Sequence, residues 1–158
     1  NTSLTADLLS IVQKSYFNIG IAVDTPDGLI VPNIKNTQEK SILEISDEVF
    51  KLAKLAKNRK LKVDQLKGAT FTISSLSGIG GKYFTPIINP PEVGILGLSK
   101  TFDHLSMEDG QLKESKQMPV SLSYDHRVVN GAYAAKFISE LSNQLNKIQF
   151  LEEVFHDT

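Results

Sequence analysis

Residues 123–132, SYDHRVVNGA, carry an acid, an imidazole and a guanidinium in three consecutive positions, Asp125, His126 and Arg127. The turn-forming pair Asn130-Gly131 follows them. The chain has only three histidines, and this one stands between two charges near the end of an apolar segment. The segment 117–129, QMPVSLSYDHRVV, predicts the last strand of a sheet, and the residues after Gly131 predict a helix. The stretch is therefore central both to the fold and to the search for a site.

Alternation along the predicted strand gives each side chain a face. One face would hold Val120, Leu122, Tyr124, His126 and Val128, and the other Ser121, Ser123, Asp125 and Arg127. A histidine among large apolar residues is most simply a buried, hydrogen-bonded structural residue. A histidine near a strand end can also exchange a proton near neutral pH, which makes His126 a candidate general base. The flanking Asp125 and Arg127 are candidates for ion pairs that hold the strand end rigid.

Further candidates are polar residues at the ends of predicted elements. Asn130 suits the N-cap of the last helix, and an amide four residues beyond the histidine could also orient a site. Ser74 and Ser75 end the predicted strand GATFTISSL, point to opposite faces and precede the glycine-rich SGIGG. One of them could donate a hydrogen bond to a developing oxyanion. The simpler alternative is that both satisfy backbone groups of the loop.

Composition narrows the class of protein. The 158 residues are enough for one domain, and 41% hydrophobic and 22% charged residues are ordinary for a globular chain. The net charge of −1 provides no field that would favour nucleic acid or a membrane as partner. No cysteine is present, which excludes disulfides and thiolate ligands and suits a cytoplasmic location. The longest apolar stretch, VGILGL, is far shorter than a membrane span.

The pattern along the chain predicts a mixed α/β (α+β) domain. The predicted order is a helical or irregular start, two strands around TPDG, a helix, a strand, a long loop, a strand, a polar hairpin at EDGQ, a strand and a helix. The first helix, in 41–61, has a capping-box pattern at Ser41 and Glu44 and an apolar stripe of Ile42, Ile45, Val49, Leu52, Ala53 and Ala56. The second, in 131–148, has a stripe of Ala134, Phe137, Ile138, Leu141, Leu145 and Ile148. We expect two layers, with the helices on one face of a mixed sheet.

Three other site chemistries fit these residues poorly. A Ser-His-Asp hydrolase would need a G-x-S-x-G elbow, and in a strand Asp125 would point away from His126. A phosphate loop at SGIGG would need a helix after it, but KYFTPI reads as extended. A metal site needs convergent ligands, and His104 and His156 are isolated in polar segments.

The stretch SYDHRVVNG resembles the D-H-R-x-x-[DN]-G signature of dihydrolipoamide acyltransferases, the core subunits of 2-oxo acid dehydrogenase complexes. Other blocks of their catalytic domain are resembled in the same order: IGIAVDTPDGLIVP, GATFTISSLSGIGGKYFTPIINPPEVGILGLSK and MPVSLSYDHRVVNGAYAAKFI. Together the blocks lie within residues 16–148. Within the family, NPPEVGILGLSK and RVVNGAYAAKF look more like acetyltransferases of pyruvate dehydrogenase complexes than like succinyltransferases.

The resemblance implies a fold similar to chloramphenicol acetyltransferase, assembled as homotrimers and possibly as a larger cubic core. It implies acetyl transfer between dihydrolipoamide and coenzyme A, with no metal, in a channel between subunits. The lipoyl group would come from a separate domain, and the decarboxylase and dihydrolipoamide dehydrogenase components would be partners. His126 would be the general base and Ser74 the oxyanion stabiliser across the subunit boundary. Asn130, Asp125 and Arg127 would support them, and no residue is assigned to coenzyme A.

Two departures from the family pattern keep a second hypothesis open. Many members have aspartate where this chain has Asn130. The family's catalytic domain also usually begins earlier, so residues 1–158 are expected to be one catalytic domain that is incomplete at its N-terminus. The lipoyl and peripheral-subunit-binding domains are absent from this sequence. The alternative is therefore a non-catalytic, trimer-forming core or truncated scaffold of the same complex.

Overall fold

The structure is a computed structural model that describes residues 1–147. Ile148, the last member of the predicted stripe, lies outside this range. The two α-helices in this part of the chain are α1, Ile42–Lys57, and α2, Gly131–Leu145. Neither combines the length and the apolar character that crossing a bilayer would need. The strands are β1 Thr2–Leu4, β2 Ile11–Gln13, β3 Ile19–Ile21, β4 Val23–Thr25, β5 Gly28–Ile30, β6 Asn33–Ile34, β7 Phe71–Ser75, β8 Gly94–Leu98, β9 Phe102–Glu108, β10 Gln111–Gln117 and β11 Val120–Tyr124.

Five strands form one mixed sheet in the order β11-β8-β7-β3-β6. The three central strands, β8, β7 and β3, run parallel, and the edge strands β11 and β6 are antiparallel to their neighbours. The other strands form two-stranded hairpins, β1–β2, β4–β5 and β9–β10. The sheet with its helices confirms the predicted mixed α/β architecture.

Helix α1 forms where the sequence predicts it. The hydroxyl of Ser41 accepts a hydrogen bond from the backbone N–H of Glu44, and the Glu44 carboxylate accepts one from the backbone N–H of Ser41. This reciprocal pair satisfies two N–H groups that helix geometry leaves without partners. The apolar stripe then buries Leu52 and Ala56 almost completely.

Both helices lie on the same face of the five-stranded sheet. Ile45 of α1 and Ile73 of β7 line a common apolar groove of about 520 Å³. The ring of Phe137 in α2 lies 5.8 Å from the ring of Phe71, centroid to centroid. Because Phe71 and Ile73 are two residues apart on β7, they share a face. We call this face the helix side of the sheet and the opposite face, which carries Thr72 and Ser74, the loop side.

The first part of the chain differs from the prediction in two respects. The helical or irregular start is wrong, because residues 1–14 form the β1–β2 hairpin. The two strands predicted around TPDG are each broken in two, so that β3 and β6 join the main sheet while β4 and β5 form a separate hairpin. Pro32 lies at one of these breaks, where proline has no N–H to donate to a ladder. The predicted turns at TPDG and EDGQ are confirmed.

Candidate active site

The segment that carries His126 is a turn and not a strand. Strand β11 ends at Tyr124, and the N–H of Asp125 makes one more bond to the carbonyl of Val93 at 2.9 Å. The N–H groups of Val128 and Val129 then both donate to the carbonyl of Asp125, at 3.0 and 2.9 Å. The expectation of a strand through residue 129 is therefore wrong. The Asp125 carboxylate accepts a hydrogen bond from the backbone N–H of Arg127, two residues later. Such a local bond offers the backbone an alternative to the hydrogen bonds between strands.

His126 is exposed, so the buried structural histidine is ruled out for this chain. Its imidazole lies against the ring of Tyr124, with 5.8 Å between centroids and 36° between planes. Within residues 1–147 the imidazole has no hydrogen-bond partner, which leaves both ring nitrogens available. Tyr124 pairs with Gly94 on the helix side of the sheet, so the imidazole beside its ring lies toward that side.

The predicted ion pair between Asp125 and Arg127 is present. Arg127 donates from its backbone N–H, Nε and Nη2 to the two carboxylate oxygens of Asp125, at 2.6–3.2 Å. These hydrogen bonds, those of the side chain above all, lower the pKa of Asp125 to about 2. These bonds join two residues that are only two positions apart, so they close a turn with His126 at its centre.

Asn130 is the N-cap of α2, as its position predicts. Its side-chain oxygen accepts a hydrogen bond from the N–H of Tyr133 at 2.9 Å. Val128 and Val129 connect the turn at His126 to Asn130. The cap at Asn130 fixes where α2 begins. The cap and the turn together determine the backbone course on both sides of the histidine.

The two serines at the end of β7 differ in their bonding. Ser75 is engaged by the loop, because its hydroxyl pairs with that of Ser77 at 2.9 Å and accepts from the N–H of Ser77 at 3.3 Å. This is the loop-satisfying role that the simpler alternative assigned to both serines. Ser74 points to the loop side, and among the described residues its hydroxyl has no hydrogen-bond partner. It is therefore free to donate to another group.

Ser74 and His126 do not meet within one chain. Ser74 and Ser121 are both register partners of Gly97, so they lie level with each other, two strands apart. Asp125 follows Ser121 by four residues along β11 and its extension, toward the opposite end of the sheet. With about 4.8 Å between strands and about 3.3 Å per residue, Ser74 lies about 16 Å from Asp125, where the turn begins. The two side chains also lie on opposite sides of the sheet, since the imidazole contacts Tyr124 on the helix side.

A buried carboxylate on the loop side was not anticipated from the sequence. Glu92 is buried and accepts hydrogen bonds from Thr72 Oγ1 at 2.6 Å and Asn89 Nδ2 at 3.2 Å. Burial raises its pKa, against the hydrogen bonds from Thr72 and Asn89 and the charge of Lys14, which lower it. Because Thr72 is two residues before Ser74 on the same face, this network ties the long loop to the strand that presents the serine.

Residues 1–147 contain no cluster of three or more histidine, aspartate or glutamate side chains arranged to hold a metal ion. Two other features can act on a substrate: an exposed imidazole in a closed turn and a free serine hydroxyl at a strand end. Groups of these two types can serve as the general base and the oxyanion donor of an acyl transfer.

Comparison with known proteins identifies the class. Residues 1–152 match the family model described as 2-oxoacid dehydrogenases acyltransferase (catalytic domain). Since the match covers nearly the whole chain, the chain belongs to this family. It is 53% identical over 137 residues to the dihydrolipoyllysine-residue acetyltransferase component of the pyruvate dehydrogenase complex from Cupriavidus necator.

Two solved structures are similar to this one. The first is Azotobacter vinelandii dihydrolipoamide acetyltransferase, studied for the role of a serine, a histidine and an asparagine in its catalytic mechanism; it is 48% identical with a TM-score of 0.89. The second is the cubic core of a pyruvate dehydrogenase multienzyme complex, 49% identical with a TM-score of 0.89. Each match covers 94% of this chain and 61% of the solved chain. The C. necator match covers 87% of this chain and 24% of that protein, so this chain spans only part of its relatives.

Proposed function

We propose that the chain is a catalytic-domain part of a dihydrolipoamide acetyltransferase that moves an acetyl group between dihydrolipoamide and coenzyme A. The observation that carries this proposal is a spacing. Ser74 and His126 are 52 positions apart and Asn130 follows the histidine by four, and the serine, histidine and asparagine studied in the A. vinelandii protein have the same two spacings. The exposed imidazole and the unbonded serine hydroxyl support the same assignment.

In the proposed reaction, His126 takes the proton from the thiol of coenzyme A. A thiol ordinarily has a pKa of about 8.5, so a base raises the thiolate fraction near neutral pH. The thiolate forms a bond to the carbonyl carbon of the acetyl thioester on dihydrolipoamide, and Ser74 donates a hydrogen bond to the resulting oxyanion. The bond from that carbon to the dihydrolipoamide sulfur then breaks, and the protonated His126 returns the proton to the departing sulfur. Acetyl transfer in the other direction reverses these steps.

The separation of Ser74 and His126 within one chain supports a site that is built from two chains. We infer a homotrimer in which one subunit provides the serine and its neighbour the histidine, with a cubic core as the larger assembly. The ring contact with Tyr124 and the Asp125–Arg127 turn then position the base, and Asn130 fixes the start of α2 beside it. The lipoyl group would come from a separate domain, and the decarboxylase and dihydrolipoamide dehydrogenase components would act with this core in the cytoplasm.

The test is complementation between two inactive variants. Ser74→Ala is expected to lower transfer from acetyl-coenzyme A to dihydrolipoamide by about 10²–10³-fold, and His126→Ala by about 10²–10⁴-fold. When the two variants are co-expressed, one interface in a mixed trimer joins an intact serine to an intact histidine. Random mixing should then restore about a quarter of the wild-type rate, because each residue is intact in half of the subunits.

Matched controls are present in the chain. Ser75→Ala removes a hydroxyl that points to the other face, and His104→Ala removes a histidine on the β9–β10 hairpin. Both should retain most of the transfer rate. Mixed trimers that are as inactive as either parent would contradict the shared site. A wild-type trimer that transfers no acetyl group would instead favour the non-catalytic scaffold.

A further inference from the structure

The ring of Phe84 lies directly on the backbone of Gly97. A Cβ atom at residue 97 would be 2.7 Å from Cζ and 3.0 Å from Cε1 of Phe84, and 3.2 Å from Cδ of Pro86. At distances this short a side chain would force the ring to shift, so glycine is what allows the ring to sit there. Phe84 comes from the long loop between β7 and β8, where Pro86 is buried and Phe84 is half-buried.

The ring of Phe84 lies next to Ser74. Gly97 is the register partner of Ser74 on β7 and of Ser121 on β11, so the three residues form one row on the loop side. The missing side chain at Gly97 leaves a gap between the two serines, and the ring of Phe84 fills it. Neighbouring strands are about 4.8 Å apart, so the ring lies about one strand spacing from the serine side chain.

We propose that Phe84 is a specificity-determining residue that restricts the acyl group to a short, uncharged chain. The inference rests on the proposed role of Ser74 in acyl transfer. An oxyanion donor lies about 3 Å from the oxygen that it binds. The acyl chain begins on the carbon that carries this oxygen, so its second and third carbons come within reach of the ring.

The surroundings of the ring explain the preference against charge. The row Ser74, Gly97 and Ser121 contains no ionisable side chain, and the next row on the same face, Thr72, Ile95 and Ser123, contains none either. A carboxylated acyl group placed here would lose water without gaining a cation from these rows. An aromatic ring and a proline instead provide an apolar surface of fixed shape.

The experiment compares acyl chain lengths in the wild type, Phe84→Ala and Phe84→Leu. The kcat/KM values are measured with acetyl-, propionyl-, butyryl- and succinyl-coenzyme A as donors to dihydrolipoamide. One methylene in an apolar pocket is worth about 10–200-fold, so Phe84→Ala should raise the ratio of butyryl to acetyl transfer by about tenfold or more. Phe84→Leu should raise it less, and the ratio of succinyl to acetyl transfer should not increase.

The matched control is Phe50→Ala. This is the same change at a residue of α1 that is 73% exposed on the helix-side layer, and its chain-length ratios should equal those of the wild type. A butyryl-to-acetyl ratio that stays within about twofold of the wild type in both Phe84 variants would overturn the inference.

A binding measurement separates this inference from the acyl-transfer proposal. Ketone analogues of the acyl-coenzyme A series, with a CH2 group between sulfur and carbonyl, cannot transfer an acyl group but can be titrated calorimetrically. Phe84→Ala should bind the longer analogues better relative to the shortest one. If this holds while the wild type transfers nothing, the transfer proposal fails, and Phe84 selects among bound acyl chains without acyl transfer. If transfer occurs but neither the binding ratios nor the kinetic ratios change, the role of Phe84 is wrong and transfer stands.

Discussion

Arg127 donates hydrogen bonds to both carboxylate oxygens of Asp125, which lies two residues before it. Its Nη2 is 2.6 Å from one oxygen and its backbone nitrogen is 3.0 Å from the other. The residue between the two is His126, whose imidazole remains exposed. Asp125 and Arg127 thus bond each other and leave the imidazole of His126 free. This arrangement makes the turn around His126 sensitive to the charge of Asp125.

The first prediction concerns acid stability. The Asp125 pKa is lowered from 3.8 to about 2 in the folded chain, mainly by the Arg127 side chain, so the ionised carboxylate stabilises the fold. That contribution is complete above pH 3.8 and is lost as the pH falls toward 2. The wild type should therefore exceed Arg127→Met in free energy of unfolding near neutral pH, and the difference should disappear at the acid end.

Urea unfolding followed across this pH range measures the difference. Lys57→Met is the charge-matched control, because it removes one positive charge from the end of α1 without touching Asp125. An Arg127→Met deficit that is as large at about pH 2 as at about pH 6 would show that the pair does not act through the ionised carboxylate.

The second prediction concerns the cap of α2. Asn130→Ala removes the acceptor for the N–H of Tyr133 and should cost about 1 kcal/mol of unfolding free energy. Asn130→Asp should restore the stability, since aspartate caps as well as asparagine and its charge suits a helix N-terminus. Thermal unfolding compares the two, with Asn143→Ala in the exposed last turn of the same helix as the control. Equal losses for the alanine and aspartate variants would rule out capping as the reason for Asn130.

The third prediction concerns Glu92. Burial raises the pKa of Glu92 above its ordinary value of 4.5, so the folded chain holds this proton more tightly than the unfolded chain does. The stability contributed by this residue is then highest at pH 4.5 and below, and it declines as the pH rises through the raised pKa. Glu92→Gln should remove that part of the decline.

Unfolding free energies measured at several pH values between about 4 and 8 test this point. Glu114→Gln, at an exposed position of β10, controls for the loss of one negative charge. Parallel pH curves for the wild type and Glu92→Gln would contradict the prediction, because they would mean that Glu92 binds its proton equally in both states.

The fourth prediction concerns Gly97. A methyl group added here meets the Phe84 ring, and overpacking of this kind costs about 1–3 kcal/mol. In a Phe84→Ala background the same Gly97→Ala change should cost less, because the two ring atoms nearest to the added methyl group are then gone. A double-mutant cycle of unfolding free energies measures the coupling between the two residues. Strict additivity would mean that the ring does not rest on the glycine.

Local signals in the sequence were sufficient for several elements. The capping box at Ser41, the turn at EDGQ, the N-cap at Asn130 and the opposite directions of Ser74 and Ser75 all depend on residues close together in the chain. The turn at His126 was missed although its cause is also local. The alternation of side-chain types favours a strand at this position. The hydrogen bonds that Asp125 accepts from Arg127 and Val128 form a turn instead.

The remaining features depend on contacts between distant residues. Nothing in the sequence pattern pairs Glu92 with Thr72 or places Phe84 on Gly97. A glycine inside the strand VGILGL was the available signal, because such a glycine often marks a close approach of other groups to the backbone. The roles of His126, Ser74, Asn130, Asp125 and Arg127 in catalysis stay predictions until the variants are measured.

The distance between Ser74 and His126 also bears on when a newly made subunit becomes active in the cell. Under the shared-site proposal, a newly made chain that has folded its sheet still cannot consume an acetyl thioester, because half of each site is on another molecule. Activity would appear only with assembly and would rise steeply with subunit concentration. Orphan subunits would then be harmless, and energy-rich thioesters would not be spent before the complex exists.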